Sequence, residues 1–178
     1  MTARRIALFT AVAVIALVTG VVLRTFLAEA PVTAKIAAAG PGILAARFPD
    51  LQGREQALAQ WRGKVMVVNF WATWCPPCRQ EIPAFIRVQR NYADRVAFVG
   101  IAIDEAEQVR AFADELGINY PVFIGSSDAI ELARSAGNAG GGLPFTVILD
   151  RHGQVAATRL GAMSESRLQQ ILADITSR

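Results

Sequence analysis

Two cysteines, one histidine and two tyrosines are all that the 178-residue chain holds of its more versatile reactive side chains. That scarcity excludes much. An all-protein zinc site around Cys75 and Cys78 needs two further ligands, and His152 alone is available. A c-type haem site needs histidine directly after the second cysteine, where Arg79 stands. A stapled extracellular fold needs cysteines spread along the chain, whereas this single pair closes too short a loop to restrain much of the unfolded chain. Charge of one sign is scarce too. The net charge is +3, and Arg4, Arg5 and Arg24, offset in that segment by Glu29 alone, leave only +1 for the remainder. With no repeat and no long basic run, nothing points to a nucleic-acid partner.

Charge is missing altogether from Ile6 to Leu23, a run of eighteen residues flanked by Arg4-Arg5 and Arg24. That length falls just short of an average hydrocarbon core, and residues 25–28 extend it if Arg24 snorkels. The segment 1–28 is therefore expected to be an N-terminal membrane anchor, with the preceding arginines on the cytoplasmic side and the rest of the chain outside. A cleaved export signal is the competing reading, because Ala28-Glu29-Ala30 has the small-x-small form. The apolar run exceeds an ordinary signal core, and Pro31 sits awkwardly after the cut, so the anchor is preferred. Both readings export the domain. Residues 29–42, with Pro31, an alanine run and Gly40-Pro41-Gly42, read as a linker, and 43–178 as the folded domain.

What is present is concentrated in Trp74-Cys75-Pro76-Pro77-Cys78. The motif directly follows the apolar run Val65–Trp71, which is apolar on both alternating faces as a central strand should be. A strand ending there places Cys75 at the mouth of a helix, where orphan N–H groups and the positive end of the dipole stabilise a thiolate. The thiolate is the form that attacks disulfides. Proline at both intervening positions argues for a shaped turn rather than a chance pair. The pattern points to dithiol–disulfide exchange.

Further strands are expected at 96–103, 121–124, 145–149 and 154–160. The last two form a hairpin through Asp150-Arg151-His152-Gly153. Helical stripes fall at Ile82, Phe85 and Ile86, then at Val109, Phe112, Ala113 and Leu116 with Gly117 as the stop. Asp128 and Glu131 read as a capping box for a short helix near 129–136, and Ser164 as the N-cap of the last helix. Alternating strands and helices indicate an α/β layer fold.

The stretch from Gly63 to Pro83 resembles the active-site segment of the TlpA/ResA-like, membrane-anchored thioredoxin-like reductases of the bacterial cell envelope. Phe48-Pro49-Asp50-Leu51-Gln52-Gly53 is similar to that group's N-terminal hairpin, and Gly142–Asp150 to its cis-proline loop and following strand. The resemblance implies a thioredoxin-like fold, a central mixed β-sheet flanked by helices, with a strand–helix insertion near 100–136. It implies that Cys75 is the exposed nucleophile, that Cys78 is the buried resolving thiol, and that the two form the redox-active disulfide. Glu81, one turn beyond Cys78, matches an acidic residue that carries protons to and from the thiols; the bland alternative is a solvated helix residue. Pro144 is then a cis-proline facing the disulfide, and Trp74, Pro76 and Leu143 complete the substrate-binding surface. Trp74 is equally open to a role in rim packing. Asn69 stands where thioredoxin has a buried aspartate, which shifts proton transfer to Glu81 or water.

By that resemblance the chain is a thiol–disulfide oxidoreductase of the inner membrane, its domain facing the periplasm or outer side, reducing exported protein substrates with disulfides or cysteine pairs. Apocytochrome c and copper-oxidase assembly factors are both suitable substrates. The cysteine pair needs no cofactor, but it does need a membrane electron donor. The same enzyme run backwards is a dithiol oxidase, and a copper-binding chaperone is a third reading. A peroxiredoxin is disfavoured because Ala72 stands where a Thr-x-x-Cys pattern needs threonine.

Overall fold

A computed structural model describes residue 13 and residues 16–19, 32–93 and 95–177. The expected anchor over residues 1–28 lies outside the described residues except at five helical positions. Among the described residues no helix is long and apolar enough to cross a membrane. The chain divides at Pro31–Val32, and the second unit carries the fold set out here.

Helix α1 (Val32–Ala45) leads into a short antiparallel hairpin, β1 (Arg47–Pro49) and β2 (Glu55–Ala57), followed by a 3-10 turn over Leu58–Trp61. Then come β3 (Val65–Trp71), α2 (Pro76–Tyr92), β4 (Val96–Ile103), α3 (Ala106–Leu116), β5 (Val122–Gly125) and α4 (Ser127–Ser135). The chain closes with β6 (Phe145–Leu149), β7 (Val155–Leu160) and α5 (Glu165–Thr176). Five strands form one sheet in the order β5-β4-β3-β6-β7, parallel across β5, β4 and β3 and antiparallel across β3, β6 and β7. The sheet is mixed, with helices on both faces, as expected for a thioredoxin-like fold. The segment 100–136 supplies α3, β5 and α4.

Every residue of β3 is buried, because both faces of the central strand are covered. Val65, Val67 and Trp71 face one core, filled by Ile82, Phe85, Phe112 and Leu168 from the helices. Met66, Val68 and Phe70 face the other, which takes Ile43 and Leu44 from α1 and Ala129 and Ala133 from α4. Each such aliphatic or aromatic side chain contributes about 1.5–3 kcal/mol on burial, so a one-residue slip of β3 would exchange the contents of both cores.

Two expectations are corrected. Residues 32–42 are not an irregular linker but most of α1, which runs through Gly40-Pro41-Gly42. The cause is tertiary: Ala39, Ile43 and Leu44 are buried, and a β-carbon on Gly40 would lie 2.0 Å from the Gly153 carbonyl oxygen. Glycine there lets the helix dock on the β6–β7 turn, and burial overrides weak helix propensity. The capping box is also displaced. Helix α4 begins at Ser127 with Ser126 as N-cap, and Asp128 sits in the first turn, where its carboxylate accepts from the Ser126 amide and hydroxyl and from the Ala129 amide. Glu131 pairs instead with Arg134.

One turn chemistry is used twice. Asp50 Oδ1 accepts from the Gln52 and Arg54 amides, and Asp150 Oδ1 from the His152 and Gln154 amides, each turn closing on a glycine with positive φ. The first turn also pairs Asp50 with Phe123, covering part of the open edge of β5.

Candidate active site

Strand β3 hands its chain to the reactive loop at Trp71. Thr73 fixes that loop by donating its amide and hydroxyl to Asp104 Oδ2, at the end of β4. Cys75 is the N-cap of α2, with Pro76 and Pro77 in the first turn, where a missing N–H costs nothing. The Cys75 and Cys78 sulfurs are joined in a disulfide, Cα atoms 5.3 Å apart. The Cys78 amide points at Cys75 Sγ at 3.3 Å, one of the orphan N–H groups that stabilise negative charge on that sulfur.

The expected contrast in cysteine exposure is small in this disulfide form: Cys75 is 3% exposed and Cys78 is fully buried. Pro76 is exposed and Trp74 is 66% exposed, so the accessible surface lies around Cys75 rather than on it. The Arg79 guanidinium lies 4.7 Å over the Phe112 ring.

The Leu143–Pro144 peptide is cis. Register puts Pro144 at the Cys75 end of the sheet, since Phe145 pairs with Phe70, the residue before Trp71. Leu143 packs against the core cluster that contains both cysteines, while Pro144 itself is buried. Asn138, which the sequence reading missed, clamps this loop: its amide donates to the Gly142 carbonyl and accepts from the Gly142 N–H. Leu160, also missed, is 55% exposed and packs over Gly142, with Trp74 one of the few large apolar side chains exposed among the described residues. Alternation along β7 gave no hint of it.

Glu81 is 3% exposed, not a solvated helix residue. Its Oε1 accepts from Asn69 Nδ2 at 2.8 Å and its Oε2 from the Met163 amide at 2.8 Å. Burial pushes its acid up from the ordinary 4.5 to about 7, against the pull of the hydrogen bonds from the Met163 amide and Asn69. Asn69 also donates to Thr146 Oγ1, its register partner on β6. The arrangement holds a carboxyl poised near neutrality one helical turn from a buried sulfur. It can take or give one proton as the disulfide opens and closes.

Sequence comparison fits this geometry. The Redoxin family matches residues 30–172, four fifths of the chain. The chain belongs to the Redoxin family. The thioredoxin-like protein YneN of Bacillus subtilis is 37% identical over 126 residues, 68% of this chain and 71% of the relative. The thiol-disulfide oxidoreductase ResA of Geobacillus thermodenitrificans is 33% identical over 128 residues, 71% of each chain. Among solved structures, a thioredoxin-family thiol:disulfide interchange protein from Chlorobium tepidum superposes with a TM-score of 0.68 at 32% identity, over 74% of this chain and 92% of that one. A DsbF homologue from Corynebacterium diphtheriae gives 0.67 at 25% identity, over 74% and 85%. This Redoxin-family chain is an oxidoreductase with a thioredoxin-like fold, and its relatives act on thiols and disulfides.

Proposed function

We propose that the protein reduces disulfides in exported proteins, with the Cys75–Cys78 pair as the reacting group and Glu81 as the proton acceptor for Cys78. The buried Glu81, held by Asn69 and Met163 and titrating about 7, is the observation that carries the proposal. In the reduced protein the Cys75 thiolate attacks a substrate disulfide. A Cys75–substrate bond forms, the substrate S–S bond breaks, and the first substrate sulfur leaves with the electron pair and takes up a proton. Cys78 gives its proton to the Glu81 carboxylate, and its thiolate attacks Cys75 Sγ. The second substrate thiolate leaves and is protonated. The substrate has gained two electrons and two protons, and the pair returns to the disulfide form.

Trp74, Pro76, Leu143 and Pro144 form the substrate-binding surface in this reading, with Leu160 beside them. The segment 1–28 anchors the domain at the inner membrane on the periplasmic or outer side, and a membrane electron donor restores the dithiol. Apocytochrome c cysteines and copper-oxidase assembly factors are the substrates proposed. The deciding measurement is the reduction potential of the pair in graded thiol buffers. A value near that of thioredoxin, about −270 mV, supports the reductase; one near about −120 mV overturns it and makes disulfide donation the task.

A further inference from the structure

The loop before β6 holds all of its main chain in place except at one residue. Gly142 is engaged on both sides, its N–H donating to Asn138 Oδ1 at 3.1 Å and its carbonyl accepting from Asn138 Nδ2 at 2.9 Å. Pro144 has no N–H, and its carbonyl accepts from the Gly161 amide at 2.8 Å. Phe145 opens β6, between β3 and β7. Between these fixed points, the N–H and carbonyl of Leu143 make no hydrogen bond among the described residues. Backbone polar groups are seldom left without a partner, so those of Leu143 pair with water or with whatever docks there.

Asn138 is the unusual part of this arrangement. Exchanging both bonds with one residue is what a neighbouring strand does in an antiparallel pair, so the side-chain amide stands in for a strand at Gly142. The task needs one donor and one acceptor side by side, and aspartate would set a second acceptor against the Gly142 carbonyl. Asn138 is only 2% exposed and is itself anchored. Its N–H donates to the Ala133 carbonyl on α4 at 3.0 Å, and its carbonyl accepts from the Gly141 amide at 3.0 Å. From elsewhere Leu160 closes on Gly142, where a β-carbon would lie 3.1 Å from Leu160 Cδ1. The Leu143 side chain packs against both cores. Its side chain and both neighbours are thus fixed while its main chain stays open, at the Cys75 end of the sheet.

We propose that Asn138 is a positioning residue that presents the Leu143 main chain to the backbone of a polypeptide substrate, so that the protein favours polypeptide disulfides over small-molecule ones. The inference rests on the reading of Leu143 as part of the substrate-binding surface and deepens it. A small disulfide offers only its sulfurs, which Cys75 attacks without further help. A polypeptide cysteine brings N–H and C=O groups beside its sulfur, and their pairing with Leu143 aligns that sulfur with Cys75. Asn138 touches neither the sulfurs nor the substrate; it acts through Gly142.

The test mixes the reduced full chain with an excess of either a disulfide of two short unstructured peptides or a small aromatic disulfide, and follows oxidation by tryptophan fluorescence. With the peptide disulfide, Asn138→Ala should raise the half-saturating concentration about tenfold and leave the limiting rate unchanged, as loss of binding alone does. With the aromatic disulfide it should match wild type. Asn138→Asp, which keeps the shape but not the donor, should behave as Asn138→Ala does. Equal losses with both disulfides mark a role in the fold or the reactive pair and overturn the proposal, as do wild-type kinetics with the peptide. If the unaltered chain does not reduce the peptide disulfide at all, the parent reading falls as well; if it does and Asn138→Ala matches it, only this inference falls. Hydrogen exchange decides the matter should the variants not fold. In Cys78→Ser joined to the peptide through Cys75, the Leu143 amide should exchange at least about tenfold more slowly than in the free chain, with the Gly142 amide protected in both. An unchanged Leu143 rate, or a Gly142 amide that exchanges like an open loop, overturns the proposal.

Discussion

Stability of the disulfide form should fall as pH rises, against the habit of carboxylates, and Glu81 should be the reason. In the unfolded chain its carboxyl ionises about 4.5, whereas in the folded chain burial holds the proton until about 7. Between those values the folded chain binds more protons than the unfolded one, so each step up in pH favours unfolding. The contribution is fully present below 4.5 and lost as pH passes 7. A shift of this size, at about 1.4 kcal/mol per pH unit, amounts to roughly 3 kcal/mol. Most of a domain's net stability is only about 5–15 kcal/mol, so the effect is large enough to read in urea midpoints. Asp50 and Asp128, both held below the usual carboxylate range despite some desolvation, give the opposite slope in more acidic solution and do not interfere above 4.5. The comparison to make is wild type against Glu81→Gln, both as disulfides. The glutamine can accept from Asn69 but cannot also accept from the Met163 amide through its nitrogen, so the variant starts less stable in acid. Its deficit should then shrink, and can reverse, on passing pH 7. Parallel stability profiles for the two proteins would refute the argument, and a carboxylic-acid infrared band that vanishes near pH 4.5 rather than near 7 would refute it independently.

Cys78→Ser should retain the attack of Cys75 and accumulate a covalent Cys75–substrate adduct visible by mass spectrometry and cleaved by added thiol; Cys75→Ser should form none. Gly40→Ala places a β-carbon 2.0 Å from the Gly153 carbonyl oxygen, so α1 must shift from the β6–β7 turn, at a cost of about 1–3 kcal/mol in urea denaturation. Unchanged stability would mean that α1 does not dock there.

What the sequence makes legible here follows from how local the determinants are. The runs at 65–71 and 96–103 are strands within a residue of expectation because their apolar pattern has a single solution, a strand covered on both faces. The last helix begins after Ser164 as the capping rule says, since the cap is a contact over three residues. Gly40-Pro41-Gly42 fails for the opposite reason. Its local chemistry breaks helices, and the burial of Ala39, Ile43 and Leu44 that overrides it is fixed by a turn more than a hundred residues away. Asp128 is an intermediate case: its carboxylate does satisfy amides at a helix start, but it does so from within the first turn, a register difference of two residues that spacing alone cannot resolve.

The reactive site divides along the same line. Cys75 and Cys78 announce themselves because two thiols three apart need no other element to react with each other. Glu81 does not, because on a helix surface it would be an ordinary solvated acid; its unusual chemistry exists only where Asn69 from β3 and the backbone of Met163 before α5 close over it. Asn69 cannot titrate, so it supplies no proton of its own. Its amide instead spends both of its donors, one on Glu81 and one on Thr146, and thereby ties the acid to two strands of the sheet. A carboxyl fixed this way cannot swing out to water when it ionises, and it must therefore carry the cost of charge in place. Burial in that fixed place brings its acidity to neutrality.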